Sequence, residues 1–366
     1  MSRGAAPRRR ATLASLAAEL KVSRTTISNA YNRPDQLSAD LRERVLAMAK
    51  ELGYPGPDPV ARSLRTRKAG AVGLVITEPL DYSFSDPAAL GFVTGLAESC
   101  EEAGQGLLLV SVGPSRSVDD GTAAVLAAGV DGFVVYSASD DDPYLAVIAQ
   151  RGVRVVVVDQ PMGVPGASRV CIDDRAAMRA IAEHVVELGH QHIGLLTMRL
   201  GREWPHDVDR PAVADPERVN ASRFHVQRER IYGVVDAVKN AGLPPDALTV
   251  VESYEHHSAS GGAAAEVALE ANPQLTALMC TADVLAFSAM DYLRAHGIYV
   301  PGQMTVTGFD GVPEALARGL TTVTQPTVEK GRRAGWLLHS PPRSGLPVVE
   351  VLDTELVRGR TSGPPA

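Results

Sequence analysis

The sequence predicts a small all-α helix-turn-helix domain joined to a larger α/β body built on parallel sheets. Three observations point there. Three short helical patterns follow one another within the first 53 residues, strand-like and helix-like segments alternate from Ala71 onward, and charge divides between the two parts. Of 36 basic and 43 acidic residues, residues 1–68 hold 14 and 6, so a head of net charge +8 precedes a body of −15. That split predicts that the head alone meets phosphate. A chain of 366 residues has room for two or three domains, at about 150 residues each.

In the head, Leu13, Leu16, Ala17 and Leu20 recur at i, i+3, i+4 and i+7, one buried helical face with Thr12 as N-cap. Lys21-Val22-Ser23 makes a tight connection, and Ser23 caps a second helix, Arg24 to Tyr31, with Ile27 and Ala30 inward. After a turn at Asn32-Arg33-Pro34-Asp35, Ser38 caps a third helix whose buried stripe is Leu41, Val45, Leu46, Ala49 and Leu52. Gly53 supplies its stop. Two short helices three residues apart, with a third packed across them, form a helix-turn-helix. Its second helix is the one that enters a major groove. Arg24, Thr25, Ser28 and Asn29 point away from the core and are donor-rich, as readers of bases and phosphates must be.

From Ala71 the strand-like runs are Val72–Thr77, Leu107–Val112, Gly132–Tyr136, Val153–Val158, Ile193–Thr197, Leu275–Cys280 and Met304–Phe309. Between them lie the helix-like stretches Ala88–Ala103, Arg175–Leu188, Arg230–Ala241, Gly261–Ala271 and Val284–His296. Such alternation implies parallel sheets with right-handed crossovers. Ligands of these sheets sit beyond the carboxyl ends of the strands. The polar stretch Arg199–Val226 is expected to be a surface loop or a flap.

Thr12-Leu13-Ala14-Ser15-Leu16-Ala17, Val22-Ser23-Arg24-Thr25-Thr26-Ile27-Ser28-Asn29, Leu52-Gly53-Tyr54 and Ala61-Arg62-Ser63-Leu64 together resemble the headpiece of the LacI/GalR family. The resemblance continues through Ile172-Asp173-Asp174-Arg175, Arg230-Ile231-Tyr232-Gly233, Thr307-Gly308-Phe309-Asp310 and Gln325-Pro326. It implies a helix-turn-helix DNA-binding domain joined by a hinge helix to a periplasmic-binding-protein-like (type I) body of two Rossmann-like lobes. The expected boundaries are a disordered basic tail at 1–11, the DNA-binding domain at 12–57, hinge and linker at 58–69, and the effector-binding and dimerisation body at 70–366. The implied partners are pseudo-palindromic operator DNA, a sugar-like small-molecule effector and a second copy of the chain. Thr12, Ser23, Arg24, Thr25, Thr26, Ser28, Asn29, Asn32 and Tyr54 are expected at the DNA, with Ala61, Arg62 and Leu64 in the hinge. By resemblance Leu64 is the apolar wedge that opens a minor-groove step. Asn29 stands where the family commonly has Arg, so no operator sequence carries over.

For the effector, the resemblance assigns Arg230 as the fork that grips ligand oxygens and Asp310, after a strand, as the cleft aspartate. Asp159 follows its strand likewise. Phe84, Tyr136 and Tyr254 are candidate apolar platforms. Asp86 lies in a stretch that departs from relatives where ligand contacts arise, and Asp283 matches a family position for which a structural role is the alternative, since Ala282 stands where the family has a ligand-binding Asn.

Other function classes lack their machinery. His190-Gln191-His192 and His256-His257 do not have the spacing of a metal motif, and no cysteine cluster supports them. No metal or cofactor is expected. No P-loop, nucleophile elbow or dinucleotide fingerprint occurs, so no enzyme is expected. Cys100, Cys171 and Cys280 form no CxxC pair, which fits a reducing compartment. Arg8-Arg9-Arg10 precedes a stretch broken by Thr12, Ser15 and Glu19, unlike an export signal, and no window reaches about 20 apolar residues. A cytoplasmic protein without a membrane span is expected. A solute-binding protein shares such a body but has no use for residues 12–64.

Overall fold

The structure, a computed structural model, describes residues 11–57, 63, 66–78, 80–113, 116–203, 210–253, 260–340 and 345–366. Contacts within the chain group it into two units, 1–69 and 70–366.

Orphan N–H groups at helix starts need acceptors, and the head supplies one at each. Thr12, Ser23 and Ser38 accept from the backbone of Ser15, Thr26 and Leu41. They open α1 (Leu13–Glu19), α2 (Arg24–Asn32) and α3 (Ala39–Leu52). Gly53, at φ 65°, ends α3 in a left-handed turn that a side chain would strain. Leu16, Ala17, Ile27, Ala30, Val45 and Ala49 form the buried centre. Leu46 and Leu52 do not join it and are 36% and 39% exposed, which corrects the expected stripe. Leu46 lies about 100° around the helix from Val45, and Met48 packs on the core instead.

The body alternates as expected. Its first sheet has order β12-β5-β4-β3-β1-β2, where β1 is Ala71–Ile76, β2 Gly106–Ser111, β3 Gly132–Tyr136, β4 Arg154–Val158, β5 Ser168–Ile172 and β12 Val349–Leu352. The second has order β10-β9-β6-β8-β7, where β6 is Ile193–Met198, β7 Ala212–Val213, β8 Leu248–Ser253, β9 Ala277–Cys280 and β10 Thr305–Thr307. Every pair is parallel except β7 with β8. Both faces of such sheets are covered. Val72, Leu74 and Ile76 pack into one layer while Val75 enters the other.

The helices of the first lobe are α4 (Leu80–Ser85), α5 (Pro87–Glu102), α6 (Val118–Ala127), α7 (Tyr144–Gln150) and the late α14 (Thr327–His339). The second lobe has α8 (Asp174–Glu187), α9 (Pro216–Asn220), α10 (His225–Asn240), α11 (Ser260–Ala271), α12 (Asp283–Ala295) and α13 (Pro313–Arg318). β11 (Thr322–Thr324) pairs antiparallel with β13 (Glu355–Val357). Among the described residues the chain passes between the sheets after β5, after β11 and after β12.

Helices α5 and α14 meet backbone to backbone. A Cβ at Gly95 would stand 1.8 Å from the Val328 carbonyl oxygen, and one at Gly331 2.2 Å from that of Phe92. Only glycine permits this approach, and it seats Lys330 in the interior at 2% exposure.

The stretch 199–226 corrects the expectation of a loop. Its described part holds β7 and α9, and Arg199, Phe224 and Val226 are buried. Arg218 forks onto Glu252 with bonds of 2.9 and 2.8 Å, tying α9 to β8.

Candidate functional site

Parallel strands end together, so the loops after β1, β3, β4, β6, β9 and β10 converge from both lobes. A cavity of about 100 Å³ lies there. Its wall includes Thr77 and Glu78 after β1, Tyr136 and Ser137 at β3, Asp159 and Gln160 after β4, Arg199 after β6 and Asp310 after β10. Asp86, Phe224, Gln227, Arg230 and Gln325 also line it.

Asp86 caps α5, accepting from Ala88 N at 3.0 Å. The Tyr136 ring stacks on Phe92 with centroids 4.2 Å apart, a rigid apolar floor. Burial pushes its phenol well above the ordinary value, and the carboxylates of Asp159, Asp86 and Asp310 add to this. Asp159 and Asp310 have φ of 62° and 115°, a region disfavoured for residues with a Cβ. Such strain concentrates at functional sites.

Arg230 rises from α10 and is 6% exposed. Its Nε donates to Asp174 Oδ1 at 2.8 Å, a terminal nitrogen donates to the Thr281 carbonyl at 2.6 Å, and the same nitrogen lies 3.8 Å from Asp310 Oδ1. Asp310 accepts from Gln325 Nε2 at 2.6 Å. Burial holds the Asp310 carboxyl well above the usual range, with Arg230 pulling the other way. Lys330 donates to Asp159 Oδ1 at 2.6 Å and to Gln325 Oε1. The Thr77 hydroxyl, on a residue 8% exposed, has no partner among the described residues.

The lobes also touch around the cavity. Arg199 pairs with Glu78, Val226 N donates to Gln160 Oε1 at 2.8 Å, and Asp140 N donates to the Arg223 carbonyl at 2.8 Å.

Of the residues expected at the effector, Asp86, Tyr136, Asp159, Arg230 and Asp310 come together in this wall. Asp283 does not, which fits the structural alternative rather than an effector contact. Its Oδ1 accepts from the Thr322 hydroxyl at 2.7 Å and its Oδ2 from Val312 N at 2.9 Å, on a residue with no exposed surface. Phe84 is 46% exposed on α4 and is also outside the wall. Tyr254 lies outside the described residues, as do His256 and His257. Both ring nitrogens of His190 are engaged, by Thr276, Thr305 and the Gly363 carbonyl.

In the head, Arg24 and Thr25 are exposed in the first turn of α2, while Thr26, Ser28, Asn29 and Asn32 are half-buried. Ser23 and Thr26 share a hydroxyl bond of 2.8 Å. Asn29 donates to Gln36 at 3.1 Å, and Asn32 donates to the Ser28 carbonyl at 3.0 Å. Thr12 is exposed, and its side chain caps α1. Tyr54 meets Tyr31 edge to face at 6.0 Å. Ala61, Arg62 and Leu64 lie outside the described residues.

Sequence reading missed Lys330, Arg199, Glu78, Gln160 and Phe224. Each looks like an ordinary surface or loop residue along the chain. Asp174 and Gln325 lie within motifs that carry the family resemblance, Ile172-Asp173-Asp174-Arg175 and Gln325-Pro326, without a ligand role of their own along the sequence.

Comparison with known proteins agrees with this architecture. A model of the periplasmic binding protein-like domain matches residues 182–362. The chain is 78% identical to an HTH-type transcriptional regulator of Mycolicibacterium smegmatis over 100% of both chains. The crystal structure of a LacI family transcriptional regulator from Corynebacterium glutamicum superposes with a TM-score of 0.73 at 35% identity, covering 95% of this chain and 98% of that one. A complex of the transcriptional regulator CelR with cellobiose gives 0.68 at 28%, covering 96% and 100%. With sequence and fold in agreement over nearly its whole length, the chain belongs to the LacI family of helix-turn-helix transcriptional regulators.

Proposed function

We propose that this regulator is a repressor that binds pseudo-palindromic operator DNA as a homodimer, and that a sugar-like effector in the body's cavity sets its operator affinity. One observation carries the effector reading: Asp86, Asp159, Arg230 and Asp310 face a single cavity over the Tyr136 ring at the strand ends of two lobes. Carboxylates accept from hydroxyls and an arginine donates to ring oxygens, so the wall matches a polyhydroxylated ligand. The Thr77 hydroxyl, without a partner among the described residues, adds a group that a ligand satisfies. The cellobiose complex of the CelR neighbour supports the same class.

In this reading residues 12–57 bind the operator, 58–69 form the hinge with Ala61, Arg62 and Leu64, and 70–366 sense and dimerise, with 1–11 a basic tail in a cytoplasmic protein. Thr12, Ser23, Arg24, Thr25, Thr26, Ser28, Asn29, Asn32 and Tyr54 make the operator contacts. The test is a thermal-shift screen of sugars, nucleosides and amino acids, followed by operator binding with each hit. A cavity ligand raises stability with the logarithm of its concentration. Hits confined to nucleosides or amino acids, or hits that leave operator affinity unchanged, refute the sugar-responsive reading.

A further inference from the structure

The cavity wall is held by a chain of polar groups that crosses from one lobe to the other, and its central member does not line the cavity. Asp159 ends β4 in the first lobe, Lys330 sits on α14 of the same lobe, Gln325 lies on the segment that passes between lobes, and Asp310 follows β10 in the second. Lys330 donates to Asp159 at 2.6 Å and to the Gln325 oxygen, and the Gln325 amide donates to Asp310 at 2.6 Å. Arg230 then stands 3.8 Å from Asp310 and continues to Asp174 at 2.8 Å.

We propose that Lys330 is a positioning residue of the effector cavity: from the first lobe it fixes Asp159 and Gln325, through which both lobes hold the ligand. This rests on the effector reading above. The physical case begins with burial, because an ammonium at 2% exposure is tolerated only with close partners. Its partners are two wall residues, at sequence separations of 171 and 5. An amide has unlike ends. With a cation at its oxygen and a carboxylate at its nitrogen, Gln325 has one satisfied orientation. Removing the cation frees the oxygen end and takes from the half-buried Asp159 its hydrogen-bonded counter-ion. The close approach of Gly95 and Gly331 leaves the α14 backbone little room to compensate.

A lysine that merely neutralises Asp159 predicts a different outcome from one that positions Gln325, and the two separate in an Asp159→Asn background. Full-length Asp159→Asn is compared with Asp159→Asn/Lys330→Met, which keeps the buried charge balanced and so guards against loss of folding. One readout needs no ligand: hydrogen exchange of the Gln325 side-chain amide by 15N NMR, assigned by its loss in Gln325→Glu. The other is the dissociation constants of ribose, glucose, galactose and cellobiose from thermal shifts. Removing Lys330 is expected to speed amide exchange about tenfold and to weaken each bound sugar about tenfold. Equal exchange in the two proteins makes Lys330 a counter-charge alone and overturns the proposal. Faster exchange with unchanged sugar affinity also overturns it. If none of these sugars stabilises the wild type, the effector reading fails for them, and the amide exchange still decides whether Lys330 positions Gln325.

Discussion

Arg230 gives its Nε to Asp174 at 2.8 Å, so the arginine that the sequence aims at a ligand is already half committed to its own lobe. Its guanidinium also lies over the Phe309 ring, 3.7 Å from the centroid. A fork held on one edge and on one face needs little reordering to meet a ligand. The same contacts make it a counter-ion for two buried carboxylates.

Arg230→Ala therefore has two effects. Loss of a charge-assisted bond, at about 1.5–3 kcal/mol, raises the effector concentration needed by roughly ten- to a hundredfold. Asp174 and Asp310 are left without their cation, so the melting temperature also falls. Arg230→Lys restores the charge without the fork and is expected to recover stability more than effector response. Operator binding by fluorescence anisotropy across an effector titration measures the first effect and calorimetry the second. A wild-type response in Arg230→Ala would place the ligand elsewhere.

Stability should fall as pH rises through the neutral range. Burial pushes Asp283 up to about 7 from an ordinary 3.8, against the bonds from Thr322 and Val312. Asp310 and Asp174 are raised as well, burial being the main cause in each. For Asp283, between those two pH values the native state holds a proton that the unfolded chain has released, so stability declines across this window, and the raised Asp310 and Asp174 act in the same direction. In Asp283→Asn the amide oxygen can accept from Val312 N while the Thr322 hydroxyl reverses to accept from the amide. That variant is expected to lose much of the slope in melting temperature between pH 5 and 8. An identical slope would assign the pH dependence to other groups.

Gly95→Ala tests how the fold holds the cavity. Its Cβ would meet the Val328 carbonyl at 1.8 Å, so α14 must move away from α5. Overpacking of this kind costs about 1–3 kcal/mol. The shift carries Lys330 with it, so effector affinity should fall although the substitution lies outside the cavity wall. Destabilisation with unchanged effector affinity would show that the α5–α14 contact supports the fold alone.

Where one residue type does one local job, the sequence was legible. Thr12, Ser23 and Ser38 were read as caps and are caps, because a short hydroxyl before an amphipathic run has few other uses. The strands β1, β3 and β6 were legible as buried apolar runs between turn residues. β5 is not, since Ser168 and Arg169 dilute a short apolar segment, and neither is β8, whose Thr249, Glu252 and Ser253 leave only a brief apolar run. In the cavity wall, Asp310 and Arg230 were found through motif resemblance. Lys330 carries no signal along the chain, for what makes it notable is a carboxylate 171 residues away. For Asp283 the sequence leaves a ligand contact and a structural role open for the same reason, its partners Thr322 and Val312 being brought to it only by the fold.

The last prediction concerns the head, where charge and shape separate. Residues 1–68 carry a net +8 and the rest −15, so operator binding should be salt-dependent although the whole chain is acidic. A dimer making about 8 phosphate contacts gives a log–log salt slope near −7. Arg24 and Thr25 are exposed at the start of α2, and Arg24→Ala should lower both affinity and the magnitude of that slope, the latter by about 2 if Arg24 of each protomer meets a phosphate. If it reads a base instead, affinity falls for the operator alone and the slope holds. Leu64→Ala should behave differently from either, reducing DNA bending and operator preference with the slope unchanged, because an apolar wedge releases no counter-ions. Anisotropy at several salt concentrations and a circular-permutation gel read the two quantities independently. Salt-independent binding by the full-length protein would remove the electrostatic reading of the head. An unchanged bend in Leu64→Ala would remove the wedge.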